Sequence, residues 1–352
     1  MTKGIDKYSI DSTDYTVGQD NVQKWGFDVH NPVFGISAGL IALFLIGVLL
    51  TDTTSAKAAL DGVKWQIINS FDWLFIWSGN IFVIFCLGLI VSPFGKIRLG
   101  GVDATADYSF MSWLSMLFAA GMGIGLMFWS VAEPAAYYTG WYETPLGVEA
   151  NTPEAAKLAL GATMYHWGLH PWAIYGVVAL SLAFFSYNKG LPLSIRSIFY
   201  PILGDRAWGW AGHIVDILAV LATLFGLATS LGLGAQQAAS GIQHVFGIEA
   251  GLGLQVIVIT VVTLLAVVSV LRGIDGGVKV ISNINMLVAF LLLILVALIG
   301  YAVTLGSIPT TLMAYIENII PLSNPHGRED EAWLHGWTVF YWAWWISWSP
   351  FV

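Results

Sequence analysis

The chain has 352 residues, 57% of them hydrophobic and 10% charged, and 22 acidic against 14 basic residues leave a net charge of -8. Soluble domains carry roughly 25% charged residues, so this composition excludes a cytosolic enzyme, a nucleic-acid binder or a secreted disulfide scaffold. Cys86 is the single cysteine, so no internal disulfide can form, and what remains is a membrane protein.

Residues 1–31 scatter Lys3, Asp6, Lys7, Asp11, Asp14, Asp20, Lys24 and Asp28 among polar residues, without the apolar core of a signal peptide. They read as a polar, mobile tail. Seven apolar runs follow, near 33–50, 71–93, 109–132, 156–186, 210–234, 253–271 and 281–305, and an eighth opens near 335. Each full run reaches about 18 residues or more, enough as a helix to cross a hydrocarbon layer of about 30 Å. Residues 307–320 are shorter, polar on one side and carry Glu317, the pattern of an interfacial helix.

Basic residues orient the spans. Placing the tail and alternate loops inside collects ten (Lys3, Lys7, Lys24, Lys96, Arg98, Lys189, Arg196, Arg206, Arg272 and Lys279) against four outside, which predicts a cytoplasmic N-terminus. The stretch from Glu133 to Glu154, with four Glu and no Lys or Arg, reads as an outside loop. The final residues, WWISWSPFV, stop inside an apolar run, so the chain is expected to be truncated within its eighth transmembrane helix.

Three segments break the pattern of a plain apolar span. In the third, Gly121, Gly123 and Gly125 alternate. Such glycines either let helices pack closely or unwind the helix so that carbonyls face a ligand, and the strict alternation favours unwinding. In the fourth, Trp167, Trp172 and Tyr175 cluster near mid-span beside Pro171, whose missing N–H can bend the helix and gather the rings. Aromatic faces attract cations, above all quaternary ammonium groups; an interfacial aromatic belt is the alternative. His166 and His170, four residues apart, fit satisfied polar packing better than a metal pair, since a third ligand is lacking. In the last segment Trp345 and Trp348 stand one turn apart as a further wall, and Ser347 and Ser349 before Pro350 suggest a helix made to open. A weaker element is the face of the fifth span carrying Thr223, Leu227 and Ser230, with Asp216 either functional or simply paired with Arg206.

GMGIGLMFWSVAEP, YHWGLHPWAIYG, LFGLATSLGLGAQQ and FYWAWWISWSPFV, in this order, resemble the betaine/choline/carnitine transporter family. The resemblance implies an all-α, polytopic membrane protein of the LeuT-like inverted-repeat transporter fold, multi-pass in the bacterial inner membrane and usually a homotrimer. On that pattern residues 1–31 are a cytoplasmic tail, 32–106 two N-terminal helices and 107–306 the first five-helix repeat. Residues 307–333 are then an interfacial helix and loop, and 334–352 the start of an incomplete second repeat. By the same resemblance Trp167, Trp172, Tyr175 and Trp345 form a cation–π box for a trimethylammonium group, and Trp348 is an outer aromatic. Ser230 is a polar contact, and Gly121, Met122, Gly123 and Gly125 line the substrate. The carbonyls of Ala119 and Met122 contribute to one sodium position. Thr223 and Phe351 mark a second, where the family often has a threonine in place of Leu227.

Glycine at 125 is similar to sodium-coupled betaine carriers, whereas choline or proton-driven members tend to have an acidic residue there. A carboxylate at that place would repel that of betaine. The expected activity is sodium-coupled uptake of glycine betaine, with no cofactor beyond Na+, no nucleic-acid partner and no enzymatic chemistry, since no catalytic set stands out. A choline, carnitine or ectoine carrier and a non-transporting osmolyte sensor are the alternatives.

Overall fold

The computed structural model describes residues 13–121 and 123–352. Lys3 and Lys7, counted above for orientation, and Met122, assigned above to the site, lie outside the described residues.

Residues 21–30, expected within a mobile tail, form an antiparallel hairpin, β1 (Asn21–Lys24) and β2 (Phe27–His30), with Val22 opposite Val29. Trp25 and Gly26 both take positive φ, 53° and 81°, which matches the right-handed twist of a two-residue hairpin. Asn21 and Gln23 donate to opposite oxygens of Asp28 at 2.7 and 3.1 Å. Polar composition hid a pairing held by side-chain amides rather than by a hydrophobic face.

The remainder is helical, as a chain that must satisfy its backbone inside hydrocarbon requires. Helices α1 (Val33–Leu50) and α2 (Thr53–Val91) are joined by a two-residue turn, and Asp52 caps α2 by accepting from the Ser55 amide at 2.9 Å. The 39-residue α2 begins 18 residues before the predicted apolar run, through a polar first half carrying Lys57, Asp61 and Lys64. Helix α3 (Phe110–Gly121) breaks from α4 (Ile124–Thr139), the two axes meeting at 58°. Helices α5 (Pro153–Trp167) and α6 (Leu169–Ala183) follow, then the short α7 (Ile195–Ile198) and α8 (Tyr200–Leu203). The long α9 (Trp210–Phe246), α10 (Leu252–Leu271) and α11 (Lys279–Ile299) complete the apolar set. Residues 307–320, expected as a separate helix, are the middle of α12 (Tyr301–Ser323). Helix α13 (Glu331–Trp333) runs through a π-helical turn, Leu334–Val339, into α14 (Phe340–Trp348).

Among the described residues six helical segments are long and apolar enough to cross a membrane, one of them, Pro153–Asn188, running through α5 and α6, or seven with the bent α3–α4 pair counted as one span. Their burial separates two populations. The most apolar window of α10 has a mean hydropathy of 2.8 and none of it is buried in the protein, and α11 is nearly as bare. Apolar surface on that scale is stable only against lipid, so the chain is a multi-pass membrane protein. By contrast α2, α4, α5, α6, α12 and α14 enclose one aromatic core that includes Tyr137, Tyr165, Trp333, Tyr341, Trp342 and Trp345. Small residues set these approaches: a Cβ on Gly161 of α5 would lie 2.8 Å from the Ala314 backbone of α12, and one on Gly79 of α2 would lie 3.0 Å from Trp342 Nε1.

Candidate functional site

The third-span glycines act in two ways. Gly123 has ψ of -100°, outside helical geometry, and there the chain leaves α3 and restarts as α4. Its two neighbours in the motif are places of close approach. A Cβ on Gly121 would touch Trp172 and Tyr175 at 3.5 Å, and one on Gly125 would lie 2.9 Å from Cη2 of Trp167 and 3.4 Å from that of Trp344. The broken helix therefore presents bare backbone to the aromatic side chains.

Those side chains are contiguous. Ring centroids of Trp167 and Trp345 are 4.9 Å apart, those of Tyr175 and Trp345 6.0 Å, and those of Trp172 and Tyr175 5.9 Å. The interplanar angles are 72°, 74° and 84°, so successive rings meet edge to face like the walls of a box. Trp167, Tyr175 and Trp345 are buried and Trp172 half-buried. The gathering device differs from the expectation placed on Pro171. The break falls at Gly168, with ψ of -125°, and Pro171 is the third residue of the new helix α6, where no N–H is needed by the helix.

Hydrogen bonds at the indole edges fix the walls. Trp345 Nε1 donates to the His166 carbonyl at 3.2 Å, and Trp348 Nε1 donates to the Ala120 carbonyl at 2.9 Å. The second bond uses a carbonyl in the last turn of α3, where helix carbonyls lose their partners; Ala119 lies in the same turn. Trp348 also packs at 4.8 Å on Phe351 and lies 3.3 Å from the position a Cβ on Gly226 of α9 would take. Ser230 is buried one turn beyond Gly226, on the side of α9 that meets α14. Ser347 and Ser349 donate back to carbonyls of their own helix, which occupies their hydroxyls in α14.

The sequence reading missed the polar centre behind this box. Glu133, expected at the start of an outside loop, lies inside α4 and is wholly buried. On Oε1 it accepts from the Tyr137 hydroxyl at 2.7 Å, with His166 Nδ1 at 2.8 Å; on Oε2 it accepts from Trp167 Nε1 at 2.7 Å and the Tyr341 hydroxyl at 2.6 Å. The Tyr137 hydroxyl also lies 2.7 Å from His166 Nδ1, and His166 Nε2 is 2.9 Å from the Thr338 hydroxyl, so both ring nitrogens are engaged. Pro134, sitting inside α4, disguised the continuation of the helix. The signal available was an acid inside an apolar stretch with Tyr137 four residues on. His170 hydrogen-bonds Asn80 and Ser323, and among the described residues no group of three potential metal ligands gathers.

A cavity of about 720 Å3 opens between the N-terminal segment, α7 and α9. Thr223 and Pro350 both line it, with Phe351 next in the chain. Asp216 at its wall pairs with Arg196, not with Arg206 as one sequence reading had it. Arg196 Nε is 2.5 Å from Oδ2 and the Arg196 amide 3.0 Å from Oδ1, because α7 folds back onto the first turns of α9. Tyr15 closes the rim by stacking on Trp208 at 4.5 Å. Burial, reinforced by Asp20, raises the Tyr15 hydroxyl above its usual pKa.

The ring cluster beside the broken helix offers electron-rich faces of the kind that attract cations. The family described as BCCT, betaine/carnitine/choline family transporter, matches residues 32–352, and the chain belongs to that family. It is 88% identical over all its 352 residues to glycine betaine transporter 1 of Vibrio parahaemolyticus, covering 67% of that protein. It is 67% identical to a glycine betaine/proline/choline/ectoine transporter of the same organism, again over its whole length and covering 63% of that relative. With the glycine betaine transporter OpuD of Bacillus subtilis it shares 45% identity over 88% of its length and 60% of the other's. The chain thus spans about two thirds of the length of these curated relatives.

Proposed function

We propose that this chain forms the substrate-binding half of a sodium-coupled carrier for glycine betaine and related quaternary-ammonium solutes. The observation that carries this reading is the orthogonal contact of Trp167, Tyr175 and Trp345, completed by Trp172 and backed by the bare backbone of Gly121 and Gly125. A trimethylammonium group cannot donate hydrogen bonds, so electron-rich ring faces are its natural partners, worth about 2 kcal/mol per desolvated contact. Glycine at 125 keeps negative charge away from the carboxylate of a zwitterion. The similarity to proteins named glycine betaine transporters supports the same substrate class.

Sodium, as co-substrate, is assigned by the family resemblance to the backbone oxygens of Ala119 and Met122, and to Thr223 and Phe351 beside the cavity. Binding there favours the conformation that receives substrate. The N-terminus is assigned to the cytoplasm by the basic residues, and a homotrimer is the assembly proposed. The test is uptake of labelled glycine betaine by cells lacking their own osmolyte carriers and expressing the intact gene, in sodium and then in potassium buffer. Sodium-dependent accumulation is expected; equal uptake in both buffers overturns the coupling, and none in either overturns the substrate.

A further inference from the structure

Glu133 is a fully buried acid whose partners are Tyr137, His166, Trp167 and Tyr341, drawn from α4, α5 and α14. Oε2 accepts from the Trp167 N–H and the Tyr341 hydroxyl and Oε1 from the Tyr137 hydroxyl, with His166 Nδ1 beside it, a set of partners that suits an ionised carboxylate. No Lys or Arg forms an ion pair with it among the described residues. A buried charge held by neutral donors is costly to build, which asks what the charge does.

Its geometry relative to Trp167 supplies the answer. The Nε1 edge of that indole is bonded to Glu133 at 2.7 Å, and the opposite edge, at Cη2, abuts the backbone of Gly125. The ring is therefore pinned across its full width and held in edge-to-face contact with Trp345. Tyr341, bonded to the same carboxylate oxygen at 2.6 Å, stacks on Trp345 with planes 20° apart. One carboxylate thus orients two box walls, one directly and one through a stacked neighbour. A charge-assisted N–H···O⁻ bond also pushes electron density into the indole and deepens the negative face that a cation meets.

Resting on the reading that Trp167 walls the substrate site, we infer that Glu133 is the positioning residue of the box: its charge orients Trp167 and Trp345 and selects a cationic headgroup over a neutral group of the same shape. Glu133→Gln preserves volume and an acceptor oxygen but removes the charge.

The test measures binding to the purified product of the intact gene in lipid. The two probes are glycine betaine and its tert-butyl isostere, 3,3-dimethylbutyrate, which has the same shape without the ammonium charge. In Glu133→Gln the Kd for betaine is expected to rise about tenfold, the difference between a charged and a neutral hydrogen bond, while that for the isostere changes less than about twofold. An unchanged betaine Kd, or an equal loss for both probes, overturns the inference. A measurement on the unsubstituted protein stands independently of whether the variant folds. The indole N–H resonance of Trp167, identified by its disappearance in Trp167→Phe, is expected at the strongly hydrogen-bonded, downfield end of the tryptophan envelope; a position typical of free indoles overturns the proposal. Trp345→Leu, run alongside, separates the two readings. Weakened betaine binding there with none in Glu133→Gln defeats the role of Glu133 alone, and no saturable betaine binding by the unsubstituted protein defeats both.

Discussion

Replacing Trp345 by Leu probes the box most directly, because this indole touches two of its other walls. Its ring lies 4.9 Å from Trp167 and 6.0 Å from Tyr175, and its N–H holds the His166 carbonyl at 3.2 Å. Leucine keeps the site apolar but removes one cation–π face, worth about 2 kcal/mol, or about 30-fold in Kd. The edge-to-face pairs, about 0.5–1.5 kcal/mol each, and the hydrogen bond, about 1 kcal/mol, are losses of stability rather than of binding. Two readouts should therefore separate: a Kd for betaine about 30-fold weaker and a melting temperature several degrees lower. Trp345→Phe keeps an aromatic face and should recover most of the affinity while still losing the bond to His166. Titration of tryptophan fluorescence with betaine reads the first quantity and a thermal scan in detergent the second. Trp345→Leu binding betaine within about threefold of the unsubstituted protein would refute the assignment of the box.

Other parts of the structure make their own demands. Gly125→Ala sets a methyl 2.9 Å from Trp167, so despite better helix propensity it should destabilise by about 1–2 kcal/mol and weaken betaine binding. Gly47→Ala, in α1 with open space around it, should be neutral or stabilising in the same thermal scan. Asp216→Ala strands the buried guanidinium of Arg196 and should cost about 3–5 kcal/mol, whereas Arg206→Ala should cost little; equal effects would restore the Arg206 pairing. Tyr15 is held above its usual pKa by burial, so its contribution to docking the N-terminal segment is complete below about pH 10. That contribution falls as pH rises from the unfolded to the folded value. Trp208 fluorescence should report the loss, and Tyr15→Phe should abolish that pH dependence.

Hydropathy and period are local properties, and what depends on them was legible in the residues alone. Runs of about 18 apolar residues located the membrane helices, because covering backbone polar groups in lipid leaves few other solutions. The alternating glycines marked the break between α3 and α4, since loss of Cβ both loosens a helix and opens its surface to a neighbour. That Trp167, Trp172 and Tyr175 lie close together was legible too, since they fall within a few turns of one span. Boundaries were less so: α2 continues through a charged half and α12 through two prolines, where packing against neighbours outweighs local preference.

The partners of the charged residues belong to the tertiary structure. Glu133 reaches Trp167 34 residues away and Tyr341 208 residues away, and Asp216 finds Arg196 rather than the nearer Arg206. A helix sets which side chains share its face, but the angle and depth at which helices meet come from the packing of every side chain between them. For that reason the acid that pins the box read, in sequence, as the first residue of a loop.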